Sequence, residues 1–570
     1  MQNFFQRVSK NLRPGITVGL ISLPLSIALS IASGAGPIPG IITGIWAPIM
    51  ASVFGSSRYN VIGVAGALTA ILFSASLEHG PMYLPFIALF SGLMIIGIYL
   101  LRLDRYLRYV PSSVIYGFAT GVAVLIAVNQ LFDAVGLTFI KRSGEFFADL
   151  VLLVQSLPQA SIASFLVAMG TLTFLILHKK YVKFLPGVIP AVIIGSLIGV
   201  LGEFHIIKSL DLITLEDTFG RISAQIFQLP SLEKFTSIFS DTNIFEWLLK
   251  TSLVVAIISV LETLITARIG DKLTKTEHNS KKELRGLGIA NIVSGILGGL
   301  PATGVFIRTG VNIKAGASSS MSQGIAGVVT VILALLAWPI FQYIPMAVIA
   351  GILMMTAIGL IETKHFVRYW KLEKSSLFVG ASVAIITLVG DALIAVLVGV
   401  VIALVVFIEK ITNGRCDVSF NVNKQRIKDD EVKEFHIPSE HQPDVVIYSI
   451  AGFLAYADSV HHRDHLKTLA STESLQTVII RMRDLHYVDL DGVETLAEGI
   501  EFLQKENKKI IFCSLNNEVL EGLKTSSFLE GFLTDHPVYP NTEKALESLG
   551  FSEQDLRREL PVFIEGTSEC

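Results

Sequence analysis

The sequence predicts an α-helical polytopic membrane protein of 14 transmembrane segments, built as a 7+7 inverted repeat and followed by a C-terminal α/β domain. Three observations carry that prediction. Of 570 residues, 51% are hydrophobic and only 16% charged, with a mean hydropathy of +0.61, whereas soluble domains carry about 25% charged residues. Apolar runs approaching the length of a bilayer crossing, about 20 residues, recur as far as residue 408 and then stop. Lys and Arg gather in alternate loops, as they do where loops alternate between the two sides of a membrane.

The runs of the first half fall at 16–32, 41–54, 61–75, 84–101, 114–131, 162–177 and 188–201. Those of the second fall at 248–269, 287–300, 305–315, 325–340, 346–361, 377–389 and 393–408. The repeats thus occupy about 15–203 and 247–410 of a membrane domain 1–412. Loops after even-numbered runs carry Arg58, then Arg102, Arg105 and Arg108, then Lys179, Lys180 and Lys183. The same pattern continues with Lys272, Lys275, Lys281, Lys282 and Arg285, then Lys314, then Lys364, Arg368, Lys371 and Lys374. Odd-numbered loops are poorer, and the longest of them, 204–247, is acidic through Asp211, Glu216, Asp217, Glu233 and Asp241. Both termini are therefore expected in the cytoplasm. The opening MQNFFQRVSKNLRPG leads into an apolar run too long for a signal sequence and without a cleavage pattern, so a retained first helix is expected.

Two runs falter at corresponding places. The third, YNVIGVAGALTAILFSA, is broken by Gly63 and Gly66; the tenth, within GGLPATGVFIRTGVN from Gly298 to Asn312, is broken by Pro301 and Gly304 and carries Arg308 at membrane depth. A helix starting there is too short to span, and its first amides are free to hold an anion. Seven runs per half force the second half to enter from the opposite side, and paired broken helices in inverted repeats point to a substrate site near the midplane. The plainer alternative is glycine-rich helix packing, common in membranes.

Glu262 lies deep in the eighth run, where a carboxylate costs about 2.5–3.5 kcal/mol and is a functional candidate by default. It can hold a proton or pair with a cation, and Thr266, one turn on, can add an oxygen. The competing reading is a structural hydrogen bond or ion pair, with Arg308 as one candidate partner; Arg308 in turn either contacts an anion, sets the field for it, or locks helices. Arg268 is expected to snorkel, Asn129 and Gln130 to bond between helices, and Asp391 to face the outer interface. No Walker loop, GxSxG elbow or HExxH occurs, so the chain is not read as an enzyme, no cofactor is expected, and transport would run on gradients of protons or sodium. The net charge of −3 and the lack of a basic block exclude a nucleic-acid partner. Cys416, Cys513 and Cys570 have no metal-ligand spacing.

From 413 to 570 the chain is charged and soluble in pattern, with strands expected at 445–450, 477–482 and 509–514 alternating with helices at 458–470, 493–505 and 517–526. His461, His462 and His465 are read as a solvated helix face and not a metal site.

Nearly the whole chain resembles the sulfate permease (SulP) family, solute carrier family 26, of bacterial type with a C-terminal STAS domain. The resemblance rests on LPLSIALSIASGAGPIPG from Leu23 to Gly40, VIYGFATGVAVLIAVNQL from Val114 to Leu131, and the block from Gly270 to Asn312 containing TEHNSKKEL. It implies core and gate domains rocking as a homodimer, with a small inorganic or organic anion held between the N-termini of the third and tenth helices. Carried over, the anion site falls on Val64, Ala65, Gly66 and Ala67 and on Thr303, Gly304, Val305, Phe306 and Arg308. Glu262 takes the place of the family's coupling carboxylate. Many relatives have proline where Val64 stands. Sodium-dependent bicarbonate carriers have aspartate at the Glu262 position and a hydroxyl residue at the Phe306 position, so these departures favour a proton.

The expectation is proton-coupled symport of a sulfate-type oxyanion or carboxylate by alternating access, in contact with lipid of the cytoplasmic (inner) membrane. The alternatives are a sodium-dependent bicarbonate symporter, an uncoupled anion channel or an anion-sensing scaffold. The tail's LHYVDLDGVETL resembles the phosphorylation loop of STAS domains, with Asp491 where a serine or threonine commonly stands. No hydroxyl is available there, a structural turn is expected at 489–492, and the domain is expected to assist folding, dimer contacts or regulation by a cytosolic partner.

Overall fold

The computed structural model describes residues 2–103, 105, 110–182, 186–203, 212–220, 225–390, 392–412, 416–422, 425–429 and 444–551. Arg108, Lys183, Asp211, Asp391 and Cys570 lie outside the described residues. The chain divides into two compact units, Met1–Val401 and Ile402–Cys570.

Each of the fourteen apolar runs forms a helix. In the first half these are α1 (Gln2–Ala32), α2 (Pro37–Phe54), α3 (Gly66–His79), α4 (Leu84–Leu100), α5 (Ser112–Ala134), α6 (Ile162–Tyr181) and α7 (Val188–Glu203). In the second they are α8 (Thr242–Thr274), α9 (Ser280–Ile296), α10 (Phe306–Lys314), α11 (Met321–Phe341), α12 (Met346–Leu360), α13 (Lys374–Val389) and α14 (Ala392–Thr412). Among the described residues, seven helical stretches are long and apolar enough to cross a membrane by themselves. Short helices at Phe146–Ser156, Leu215–Phe219, Leu232–Ser240 and Thr363–Leu372 occupy stretches read from sequence as loops.

The packing has the symmetry of the repeat. The pair α4–α9 has its counterpart in α11–α2 when the halves are exchanged, α1–α11 in α8–α4, α5–α13 in α12–α6, and α1–α10 in α8–α3. Small residues permit the closest of these approaches: a Cβ on Gly117 of α5 would collide with the backbone of Gly380 in α13. Polar side chains inside the bundle are largely paired, as a medium without water requires.

The third and tenth segments differ from the other crossings. Strands β1 (Ile62–Gly63) and β2 (Thr303–Gly304) pair antiparallel, with Ile62 opposite Gly304 and Gly63 opposite Thr303. Immediately after them α3 and α10 begin, so the two helices leave the strand pair in opposite directions with their N-terminal ends beside it. At about 1.5 Å per residue, the 9 residues of α10 cannot cross a core about 30 Å thick.

The second unit is an α/β domain. Its six-stranded sheet runs β10 (Val538–Tyr539), β9 (Lys509–Cys513), β7 (Thr477–Arg481), β5 (Val445–Ile450), β3 (Cys416–Val422), β4 (Gln425–Asp429). Strands β10 to β5 are mutually parallel, whereas β3 is antiparallel to both β5 and β4. A parallel pair, β6 (Gly452–Leu454) and β8 (Leu485–Val488), stands apart. Alternation along the strands sorts the core: Val446, Tyr448, Val478, Ile480 and Phe512 meet Leu466, Leu469, Leu496 and Leu503 on one face. Val445, Ile447, Ile479 and Ile511 meet Ala545 and Leu546 on the other.

His462 corrects the reading of a solvated histidine face. It is buried, with Nδ1 2.6 Å from the Tyr448 hydroxyl, because the helix Tyr456–Ser471 lays its His462, Leu466 and Leu469 side on the sheet. The 489–492 segment is a helix start. Asp489 Oδ1 accepts the Gly492 amide at 2.8 Å and caps the helix Leu490–Lys505, while Asp491 is exposed in its first turn. Asp489→Ala is therefore expected to cost about 1 kcal/mol, seen as faster hydrogen exchange at the amides of that helix than in wild type.

Candidate anion site

Helix α8 turns three side chains toward the strand pair. Thr303 Oγ1 donates to Glu262 Oε2 at 2.6 Å, the Gly304 amide donates to Thr263 Oγ1 at 2.8 Å, and Thr266 Oγ1 donates to the Gly304 carbonyl at 3.1 Å. Residues 262, 263 and 266 share one side of a helix, so α8 holds both backbone groups of Gly304 and places the Glu262 carboxylate on Thr303. Gly304 is obligatory here, since a Cβ would meet Asn60 and the α8 backbone within 3 Å.

A second network fixes β1. Glu283, itself buried, accepts the amides of Ser56 and Ser57 at 2.8 and 2.7 Å and the Asn60 side-chain amide at 2.8 Å. Asn60 Oδ1 accepts from Thr309 of α10 at 3.3 Å, and Thr309 Oγ1 accepts the Val61 amide at 3.0 Å. The loop entering β2 is held likewise, with Asn291 bonded to both the amide and the carbonyl of Ala302 at 2.8 and 3.0 Å. Every donor left unpaired in such a place would cost about 1–3 kcal/mol, so β1 and β2 are fixed in register.

The helix starts themselves lack side-chain caps. Ala65 and Val305 occupy the capping positions of α3 and α10 in extended conformation, and neither has an oxygen to offer. Val64, Ala65, Gly66 and Ala67 are buried, and so are Thr303 and Gly304; Phe306 is 43% exposed. Gly66 faces Leu360 of α12. All nine residues carried over for the anion site therefore lie at the crossing of the two broken segments.

Arg308 does not reach Glu262. Its Nη2 donates to Ser26 of α1 at 3.1 Å, Nη1 lies against Gly63 where any Cβ would displace it, and Nε has no partner. The guanidinium is 1% exposed and, among the described residues, has no carboxylate partner. The ion pair considered for Glu262 and Arg308 is thus not formed, and the carboxylate uses Thr303 instead. Arg268 is exposed near the end of α8, consistent with snorkelling. Gln130 is buried with Oε1 unpartnered, so the interhelical bond expected of it is not made by that oxygen.

Residues 8–383 match the sulfate permease family, and residues 436–545 match the STAS domain. This chain belongs to the sulfate permease family. It is 30% identical to YvdB of Bacillus subtilis (strain 168) over 532 residues, covering 92% of this chain and 94% of that one. It is 28% identical over 418 residues to the bicarbonate transporter BicA of Synechocystis, covering 72% and 71%. The structure of the murine anion transporter Slc26a9 in its inward-facing state superposes with a TM-score of 0.78 at 17% identity, covering 95% and 91%. The SulP chain is accordingly a multi-pass membrane protein of an anion-transporter family and not an enzyme, with the seven-plus-seven fold and an α/β STAS domain.

Sequence reasoning missed several members of this SulP site. Thr263, Asn60, Ser26, Glu283 and Asn291 all act through contacts between residues distant in the chain. Thr263, Ser26 and Asn291 signal themselves only as polar residues within apolar stretches, whereas Glu283 stands among Lys281, Lys282 and Arg285 and Asn60 follows Arg58 and Tyr59, where polarity marks nothing.

Proposed function

We propose that this chain is a secondary active symporter of a small oxyanion or carboxylate, coupled to protons and working by alternating access. The anion would sit between the uncapped N-termini of α3 and α10, with the field of Arg308 favouring it and Glu262 carrying the coupling proton. The observation that supports this most is the buried guanidinium of Arg308, which has no carboxylate partner among the described residues and lies beside two helix starts whose first amides have no side-chain acceptor there. A buried charge at membrane depth needs a counter-charge, and a mobile anion supplies it.

A second reading, sodium-dependent bicarbonate symport, is favoured by the 28% identity to BicA. The oxygens of Glu262, Thr266 and Gly304, gathered within hydrogen-bonding distance of one another or of Thr303, suit a cation as well as a proton. On the first reading the protein works as a homodimer in the cytoplasmic membrane with both termini inside, and its STAS domain receives a cytosolic partner.

Backbone amides and one cation recognise charge more than identity, so the substrate has to be found by competition. In proteoliposomes, counterflow of labelled sulfate, bicarbonate and a dicarboxylate is expected to be saturable for at least one of the three and driven by an imposed pH difference. Uptake that responds only to a sodium gradient would move the assignment to the second reading, and non-saturable, uncoupled current would reject symport.

A further inference from the structure

The ten-residue helix Thr363–Leu372 joins α12 to α13. Both neighbours are apolar segments of the bundle, so the connecting helix lies where the bundle meets the membrane surface. Its inner side is fastened to the protein: His365 stacks on Tyr116 of α5 with centroids 4.3 Å apart, and Phe366 packs over Gly380 of α13.

The outer side has the composition of a lipid-facing surface. At 3.6 residues per turn, Lys364, Arg368 and Lys371 fall in one narrow strip, with Val367 and Trp370 on one flank and Leu372 on the other. Val367, Trp370 and Leu372 are 56%, 70% and 59% exposed. None of these three cations, nor Lys374 just beyond, is ion-paired among the described residues, and from 362 to 374 four cations stand against the two carboxylates Glu362 and Glu373. Exposed Trp and Leu cost solvation in water but gain it in the interface, where Trp concentrates. Unpaired Lys and Arg beside them find their counter-charge in phosphate headgroups.

We propose that this helix is a binding site for anionic phospholipid, with Trp370, Val367 and Leu372 entering the acyl boundary and Lys364, Arg368 and Lys371 holding the headgroup phosphate. The occupant is the bilayer itself, because a helix tied at both ends to membrane-crossing segments has lipid as its adjoining phase. Since α12 and α13 both pack on α5, headgroup binding here anchors these three helices at the interface. This assignment does not depend on which anion is carried.

The test uses the full-length protein, relipidated with equal parts of phosphatidylcholine and phosphatidylglycerol, with retained lipid counted by native mass spectrometry. Wild type is expected to enrich phosphatidylglycerol, and added salt should weaken that enrichment. Each cation near an anionic surface is worth about fivefold, so Lys364→Gln, Arg368→Gln and Lys371→Gln together are expected to remove on the order of a hundredfold of preference. A control exchanging Lys364 and Lys371 for Arg should keep it. Equal enrichment by the triple variant and wild type overturns the proposal. So does a triple variant that keeps its lipid but changes oligomeric state, which would assign the surface to a protein partner.

Discussion

Glu262→Gln is expected to yield a folded protein that exchanges anions across the membrane but no longer accumulates them against a gradient. Glutamine keeps the length of the side chain and can still accept the 2.6 Å bond from Thr303, so the α8–β2 contact survives. What disappears is the ability to carry a proton. One proton per cycle converts each unit of pH difference, about 1.4 kcal/mol, into up to tenfold accumulation. The variant should therefore fall to an accumulation ratio near one while counterflow retains a measurable rate. A cycle that translocates the carboxylate only in its neutral form predicts this split, because Gln mimics the protonated state permanently. Tracer uptake into proteoliposomes under an imposed pH gradient decides the matter: full accumulation by the glutamine variant would remove Glu262 from the coupling role. Loss of both uptake and counterflow, with an unaltered melting temperature, would instead place the side chain in the anion site.

The fourteen segments are legible in sequence because a bilayer imposes length and apolarity on each crossing, and loop charge then fixes the parity of the count. The faltering of the third and tenth runs is legible for the same reason, as interruptions of a signal that is otherwise continuous. The β1–β2 pairing is not. Two residues at 62–63 bonded to two at 303–304 leave no periodicity to read, and their register is set by Asn60, Glu283 and Thr309 across long separations. Local polarity also misplaces His462, since a histidine whose ring nitrogen lies against a tyrosine hydroxyl beneath a helix looks the same in sequence as a solvated one. The helix Thr363–Leu372 reads as a charged loop because it is only ten residues long and carries Lys364, Arg368 and Lys371, although its apolar and aromatic residues gather on the side opposite those cations.

Arg308 gives the sharpest division between binding and structure. If its charge serves the anion, Arg308→Ala should weaken substrate binding by about 1.5–3 kcal/mol where the contact is a charged hydrogen bond, a KM increase of roughly 10- to 100-fold. Little stability should be lost, because among the described residues the guanidinium holds the protein through one bond, to Ser26 at 3.1 Å, and leaves Nε unpaired. Removing an uncompensated buried charge also relieves desolvation, which offsets the lost contact. A helix-locking arginine would give the opposite pattern, a lower melting temperature and an unchanged KM. Arg308→Lys keeps the charge without the planar fork, so partial recovery of KM would indicate a field effect, and none would indicate direct bidentate contact. Gly63→Ala provides an independent route to the same question, since the new Cβ must displace Nη1 from its place against β1. That variant retains the charge and moves it; a raised KM with intact folding in both Gly63→Ala and Arg308→Ala would locate the anion at the crossing of the two broken helices.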